Sequence, residues 1–223
     1  MKKKLYALPI LLILLTFSGC NSKIIPAWQY ESFGQLNNFK KNYLKGEDKI
    51  AELHFQKALA EVKRSGDLKR ISKVYLTKYA VKVACLEDIE DSEYLDIEAN
   101  QPDPENRNYF LFLKGNLSVV NVSLLPEQYR SFLKAGIGEK QMDINKEITG
   151  IGDPLSILIA IGIAVKNKLY SEETLQTAIE KASINGWYKP LVVYLEKLQQ
   201  IYESNNEQEK AFKVQQKLKI IKN

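Results

Sequence analysis

The chain has 223 residues, of which 45% are hydrophobic and 26% are charged. This composition argues against a disordered chain, which carries too few apolar side chains to build a core. The formal net charge is +5, but Lys2, Lys3 and Lys4 lie in an N-terminal stretch without acidic residues, and without them 29 basic residues balance 27 acidic ones. Because so little net charge exerts no strong attraction on phosphate backbones, we expect no nucleic-acid partner.

The N-terminus has the pattern of an export signal. Lys2 to Lys4 precede an apolar stretch from Leu5 to Phe17, and the small residues Ser18 and Gly19 follow it. The apolar stretch has 13 residues, which is shorter than the roughly 20 residues that a helix needs to span a bilayer. We therefore predict a signal peptide over residues 1–19, cleaved after Gly19, and no stable transmembrane helix in this stretch.

The sequence Phe17-Ser18-Gly19-Cys20 resembles the lipobox of bacterial lipoproteins. The resemblance implies that Cys20 is diacylated on its sulfur, becomes the mature N-terminus, and usually receives a third acyl chain on its amine. Two or more chains make membrane attachment effectively permanent, since each buried methylene contributes about 0.8 kcal/mol. Asn21 stands where an aspartate commonly retains such proteins at the inner membrane, so the resemblance favours the outer membrane facing the periplasm. The alternative is an ordinary secretory signal with Cys20 incidental.

We predict that residues 20–27 form a short tether and that residues 28–223 form one α-helical domain. The middle of this domain, over about 87–152, is predicted to be less regular. Gly46-Glu47-Asp48 and Gly66-Asp67 separate the first helices. The apolar residues that follow these two breaks recur three and four positions apart and are Ala51, Phe55, Ala58, Leu59 and Val62, then Leu68, Ile71, Val74, Tyr75, Tyr79 and Val83. This spacing is typical of helices with one buried face, and the short breaks predict antiparallel helical hairpins.

The middle of the chain gives weaker signals. Acidic residues are interleaved from Glu87 to Glu105, which predicts a solvated helix end and linker rather than a calcium loop. The aromatic run with Tyr109, Phe110 and Phe112 predicts either a buried helix or a short strand, because periodicity cannot separate these in short apolar runs.

The last third predicts four helices. Asp153-Pro154 has the form of an N-cap followed by proline in the first turn, and the nearly all-apolar stretch from Leu155 to Val165 predicts a helix at the centre of the core. Ser171 begins the next helix, and Asn185-Gly186 and Asn205-Asn206 separate the remaining ones.

These spacings resemble the tetratricopeptide repeat, a helical hairpin of about 34 residues. The residues that carry the resemblance are Ala51, Phe55 and Ala58, then Ala178, Ala182 and Pro190, then Leu195, Leu198, Tyr202 and Ala211. The resemblance implies an all-α fold of antiparallel hairpins in a right-handed superhelix. The matching segments are not separated by a whole number of repeats along the chain, and the middle of the chain matches no repeat. An irregular helical bundle is therefore the alternative.

Candidate catalytic groups are scarce. The only histidine, His54, has no serine, cysteine or paired carboxylate nearby in sequence that would form a base and nucleophile. If Cys20 is acylated, Cys85 has no disulfide partner, and its apolar neighbours predict a small buried hydrophobic residue. The glycine pairs Gly136-x-Gly138 and Gly150-x-Gly152 lack the downstream lysine or third glycine of a phosphate-binding loop. We therefore expect no enzymatic activity, no cofactor and no metal.

The leading functional hypothesis is a non-catalytic scaffold or assembly factor, anchored by lipid in the cell envelope, that binds an envelope protein. The repeat resemblance implies a concave face, where Glu196, Gln200 and Glu203 would contact the protein partner. The alternative is a lipid-anchored carrier of a small apolar ligand, with Tyr109, Phe110 and Phe112 lining a helical pocket; otherwise these three residues belong to the core.

Overall fold

The computed structural model describes residues 26–138 and 143–223, so the predicted signal peptide, its cleavage after Gly19 and the acylated Cys20 lie outside the described residues. Eleven α-helices occur in the described ranges: α1 (Ala27–Lys45), α2 (Asp48–Lys63), α3 (Leu68–Ala84), α4 (Ser92–Asn100), α5 (Pro104–Lys114), α6 (Arg130–Ile137), α7 (Ile144–Thr149), α8 (Pro154–Lys166), α9 (Glu172–Ile184), α10 (Tyr188–Ser204) and α11 (Gln208–Lys222). Three short 3-10 turns lie between α5 and α6. No strand occurs in those ranges, which confirms the all-α prediction.

Local sequence signals set many of the helix boundaries. The carboxylates of Asp67, Asp103 and Asp153 each accept a hydrogen bond from the backbone N–H three residues further on, at 3.1, 2.9 and 2.7 Å. Such caps satisfy backbone donors that have no partner within the helix. Gly46 and Gly115 end α1 and α5 with φ angles of +84° and +83°, a left-handed conformation that glycine adopts without steric cost.

Helix α8 lies at the centre of the core, as its uniformly apolar sequence predicts. Most of its residues are buried, and it packs against α3. The crossing is close at Gly162, where an added Cβ atom would lie 2.2 Å from the carbonyl oxygen of Val83. Only a residue without a side chain fits there, so glycine lets the two helix backbones meet. Neither α8 nor any other helix in the described ranges combines the length and apolarity needed to cross a membrane.

The N-terminal hairpin of α1 and α2 builds its own part of the core. The two helices pack along each other, and the rings of Phe39 and Phe55 lie 5.6 Å apart between centroids. The residues of α2 that share the predicted apolar spacing are all buried. The periodicity therefore identifies the correct face of this helix.

The acidic segment between Glu87 and Glu105 differs from the solvated helix end and linker that its composition suggests. It contains α4, whose Tyr94 is fully buried and stacks on Phe110 at 4.5 Å between ring centroids. The Tyr94 hydroxyl donates a hydrogen bond to the Glu98 carboxylate at 3.1 Å. One aromatic anchor thus holds an acidic helix on the core, which charge counting alone does not reveal.

The C-terminal helices α9, α10 and α11 stack in sequence, with α10 packed against both neighbours and against α1. The Lys189 ammonium at the start of α10 lies 2.8 Å from Asp48, 3.0 Å from Glu87 and 3.8 Å from the centroid of the Tyr43 ring. These contacts connect the C-terminal helices to the N-terminal hairpin.

Candidate functional site

A pocket of about 600 Å³ opens between α1, α3, α5, α6 and α8. We call it the central pocket. Its volume lies within the range of roughly 300–1,000 Å³ that is typical of small-molecule sites. Its floor consists of apolar side chains from α3, α8 and the segment before α6, namely Leu76, Ala80, Val81, Leu125, Leu155 and Ile159.

Two phenols form the polar end of the central pocket. The rings of Tyr109 and Tyr129 stack with 6.1 Å between centroids. Both side chains line the pocket together with Ser156 of α8. Burial raises the pKa of both phenols above their ordinary value. Both therefore stay neutral at physiological pH and act as hydrogen-bonding groups rather than as charges.

Three cations line the central pocket, and they differ in their surroundings. The Arg130 guanidinium donates hydrogen bonds to the backbone carbonyls of Leu125 at 2.9 Å and Ser123 at 3.2 Å. Lys40 on α1 is half-buried, and burial lowers the pKa of its ammonium, with Asp153 partly opposing that shift. Lys73 on α3 is exposed at the rim. In the part of the chain that the structure describes, neither lysine forms an ion pair with a carboxylate.

Two carboxylates, Asp153 and Glu105, line the same pocket. Asp153 caps α8 by accepting the Ser156 backbone N–H at 2.7 Å. Glu105 on α5 pairs with Lys69 at 3.3 Å. The described lining of the pocket thus holds three cations against two acids, and none of the three cations is in a contact ion pair.

A second concave surface crosses the C-terminal helices, with a volume of about 440 Å³. We call it the C-terminal groove. Its floor is formed by Leu195 and Leu198 of α10, and Ile184 of α9 is 73% exposed at its end. Lys213 and Lys217 of α11 lie along one side. The groove is therefore mostly apolar, with charges along its rim.

The predicted partner-binding residues lie on α10 and line neither the central pocket nor the C-terminal groove. Glu196 lines a separate depression of about 490 Å³ between α10 and α11. Glu196 forms an ion pair with Lys222, and Glu203 accepts a hydrogen bond from Gln199 at 2.7 Å. Gln200 is exposed. The three side chains occupy the face of α10 away from the floor of the C-terminal groove, and their role in partner binding stays a prediction.

The aromatic run of the middle segment is helical and divides between pocket and core. Tyr109 lines the central pocket, but Phe110 and Phe112 do not. Phe110 stacks on Tyr94, and Phe112 is fully buried with its ring 5.0 Å from that of Tyr129. The alternative assignment of all three rings to a pocket therefore holds for Tyr109 alone.

The two other side chains considered as candidate chemical groups, His54 and Cys85, lie outside the central pocket. The Nδ1 atom of His54 lies 2.7 Å from the Gln35 side-chain oxygen on the N-terminal hairpin. Cys85 is free and buried, as predicted, and burial raises the pKa of its thiol. Neither residue lines the central pocket.

Sequence reasoning misses most of the central pocket. Lys40, Lys73, Tyr129 and Arg130 come from elements that are distant along the chain, so no spacing rule groups them. Two sequence features do mark parts of the pocket: the Asp153-Pro154 cap of α8 and the aromatic run on α5.

Comparison with known proteins gives no match: no family model fits the chain, and no curated protein and no solved structure is significantly similar to it. Function is therefore inferred from the residues of these two surfaces, since a helical fold alone specifies no activity.

Proposed function

We propose that this chain is a membrane-anchored, non-catalytic binding protein whose central pocket holds a small amphiphilic molecule. The observation that carries the proposal is the pocket itself, with an apolar floor at Leu76, Leu125 and Ile159 and polar groups at Tyr109 and Tyr129. Small-molecule sites have this composition, in which apolar walls supply burial and a few polar groups fix orientation.

The chemistry of the pocket residues supports binding rather than catalysis. Tyr109 and Tyr129 have a pKa raised by burial, so neither supplies a phenolate at neutral pH. Among the described residues that line the pocket there is no histidine or cysteine, the groups that most often act as base and nucleophile.

The proposed anchor places the pocket close to a lipid surface. Cys20 precedes the first residue of α1, Ala27, by seven positions. A chain spans at most about 3.6 Å per residue, so a tether of this length keeps the folded domain within about 25 Å of the bilayer. A membrane is a ready source of amphiphilic molecules for a pocket held at that distance.

The anchor is tested by changing Cys20 to alanine and labelling cells with a radioactive fatty acid. We expect the variant to remain an unprocessed precursor without label, because the sulfur that accepts the acyl chains is absent. A variant of normal mature size that is labelled like the wild type would contradict the lipoprotein assignment.

The carrier function is tested by purifying the full lipidated chain gently from cells and identifying bound small molecules by mass spectrometry. Thr77→Trp is designed to fill the central pocket from the α3 wall, and Ile179→Trp fills the C-terminal groove as a matched control. We expect an amphiphile that accompanies the wild type and Ile179→Trp but is depleted from Thr77→Trp. Equal recovery from all three proteins would contradict the carrier proposal.

A second candidate function is the protein-interaction scaffold, and the C-terminal groove favours it. Ile184 of α9 is 73% exposed there, and Ile179 of α9 and Val214 of α11 are half-buried above the buried floor of Leu195 and Leu198. We propose that α9–α11 form a tetratricopeptide-like superhelix that binds an amphipathic helix of an envelope protein. Stacked helical hairpins commonly present such extended binding surfaces.

The scaffold is tested with a photo-crosslinking amino acid placed at Ile184, compared with the same amino acid at Tyr30. Both side chains are 73% exposed, so the two positions are equally accessible. We expect one defined envelope protein to crosslink at Ile184 but not at Tyr30. Identical products at Ile184 and Tyr30 would contradict a specific site. The same amino acid placed at Glu196, Gln200 and Glu203 tests whether the opposite face of α10 also contacts the partner.

A further inference from the structure

We propose that the ligand of the central pocket is an anionic single-chain amphiphile whose head group binds between Lys40 and Lys73. This inference rests on the proposed carrier function and specifies the chemical class of the ligand. It is carried by the charges around the pocket and by their existing partners.

The charge balance of the pocket is positive once existing contacts are considered. Lys40, Lys73 and Arg130 line the pocket against two carboxylates. Glu105 is paired with Lys69 at 3.3 Å, and Asp153 keeps its charge as the cap of α8 and partly offsets that of Lys40. In the described residues, Lys40 and Lys73 have no carboxylate partner at ion-pair distance. A negatively charged head group supplies an ion pair at contact distance, which Asp153 does not provide.

Lys40 is the cation for which an anion matters most. Its side chain is half-buried on α1, and burial lowers the pKa of the ammonium. A charge removed from water without a partner is costly, so an anion that approaches it gains more than it would at an exposed lysine. Lys73 at the rim adds a second positive charge on the opposite helix, α3.

The remaining pocket residues suit the two ends of an amphiphile. Tyr109 and Tyr129 stay protonated because burial raises their pKa, so they offer hydroxyl groups to a polar head without adding negative charge. The floor around Leu76 and Ile159 is apolar and suits a hydrocarbon tail, because each methylene that leaves water adds to the binding free energy. A cationic head group would instead face the repulsion of Lys40 and Lys73.

The test compares decanoate with its neutral counterpart decanol, using the full lipidated chain in phosphatidylcholine nanodiscs and equilibrium dialysis of the labelled compounds. Empty nanodiscs and the Thr77→Trp variant correct for partition into lipid. We expect decanoate to bind about tenfold more tightly than decanol, as one charge-assisted hydrogen bond would provide.

Charge variants locate the head group. Lys40→Gln should weaken decanoate binding about tenfold and leave decanol binding unchanged, whereas Lys41→Gln, at the exposed neighbouring position, should change neither. Circular dichroism confirms that each variant is folded.

The outcomes separate the inference from the carrier proposal. If decanoate and decanol bind equally well and both are lost in Thr77→Trp, the pocket binds amphiphiles but the anionic head group is wrong. If Lys40→Gln and Lys41→Gln behave alike, the assigned position of the head group is wrong. If neither compound binds the wild type better than Thr77→Trp, both the inference and the carrier proposal are wrong.

Discussion

The central helices and the C-terminal helices differ in how completely they bury their apolar side chains. Helix α8 is buried on nearly every side and crosses α3 closely at Gly162. In α10 and α11 each helix buries a single stripe, and large apolar side chains such as Phe212 remain 59% exposed. The centre is thus a filled core, and the C-terminus is a layer with one open surface.

The difference shows where a binding site can form in a helical chain. The central pocket lies where α5, the 3-10 turns and the start of α6 meet α1, α3 and α8. The longer regular helices at the C-terminus leave a shallow groove along their length. Irregularity therefore favours small ligands, and regular stacking favours an extended partner.

The largest contrast is expected for two phenylalanines in these regions. Phe112 is fully buried and Phe212 is 59% exposed. Phe112→Ala should lower the free energy of unfolding by about 4 kcal/mol, because it removes buried surface and leaves a cavity. Phe212→Ala should change it by less than about 0.5 kcal/mol. Urea unfolding of both variants measures the difference, and equal effects would show that the centre is no better packed than α11.

The next effect is expected at the crossing of α3 and α8. Gly162→Ala places a Cβ atom 2.2 Å from the Val83 carbonyl oxygen, which forces the backbones apart and should cost about 3 kcal/mol of stability. Gly34→Ala on α1 is the matched control, since its Cβ atom meets nothing within 4 Å and alanine favours a helix by about 1 kcal/mol. Thermal unfolding should move in opposite directions for the two variants, and a neutral Gly162→Ala would refute the close crossing.

A smaller effect is expected where the C-terminal helices join the N-terminal hairpin. Lys189 contacts Asp48 and Glu87. Burial on its own would lower the pKa of the Lys189 ammonium. The hydrogen bonds to Asp48 and Glu87, together with the attraction of the two carboxylates, outweigh burial and raise that pKa. Lys189→Met should destabilise the protein by about 1 kcal/mol. Since the pKa in the folded state is raised, this contribution is complete at neutral pH and is lost only in alkali, as the pH rises above the ordinary lysine pKa.

The control for Lys189 is Lys213→Met, which removes an exposed pair with Glu209 on α11. We expect no measurable change in stability, because exposed pairs are screened by water. Urea unfolding of the two variants at neutral pH and again in alkali provides the test. If the cost of Lys189→Met persisted unchanged in alkali, the loss would come from packing rather than from charge.

The regular helices could be predicted from the sequence and the pocket could not. The apolar stretch from Leu155 to Val165 and the Asp153 cap identify α8, because both signals are local. The burial of Tyr94 could not be predicted, because its neighbours in sequence are acidic and the ring it stacks on, Phe110, belongs to the next helix. The central pocket depends on how five elements meet, and the electrostatic effect of Asp153 on Lys40 has no local signature in the sequence.

The most direct test of the account is to locate a bound amphiphile on the protein. Full lipidated chain in nanodiscs would be crosslinked with a decanoate analogue that carries a photoreactive group at its tail, and the modified peptides mapped by mass spectrometry. The account predicts adducts on α3 and α8, near Leu76 and Ile159, which disappear in Thr77→Trp and persist in Ile179→Trp. Adducts confined to α9–α11, or adducts on α3 and α8 that Thr77→Trp leaves unchanged, would contradict it.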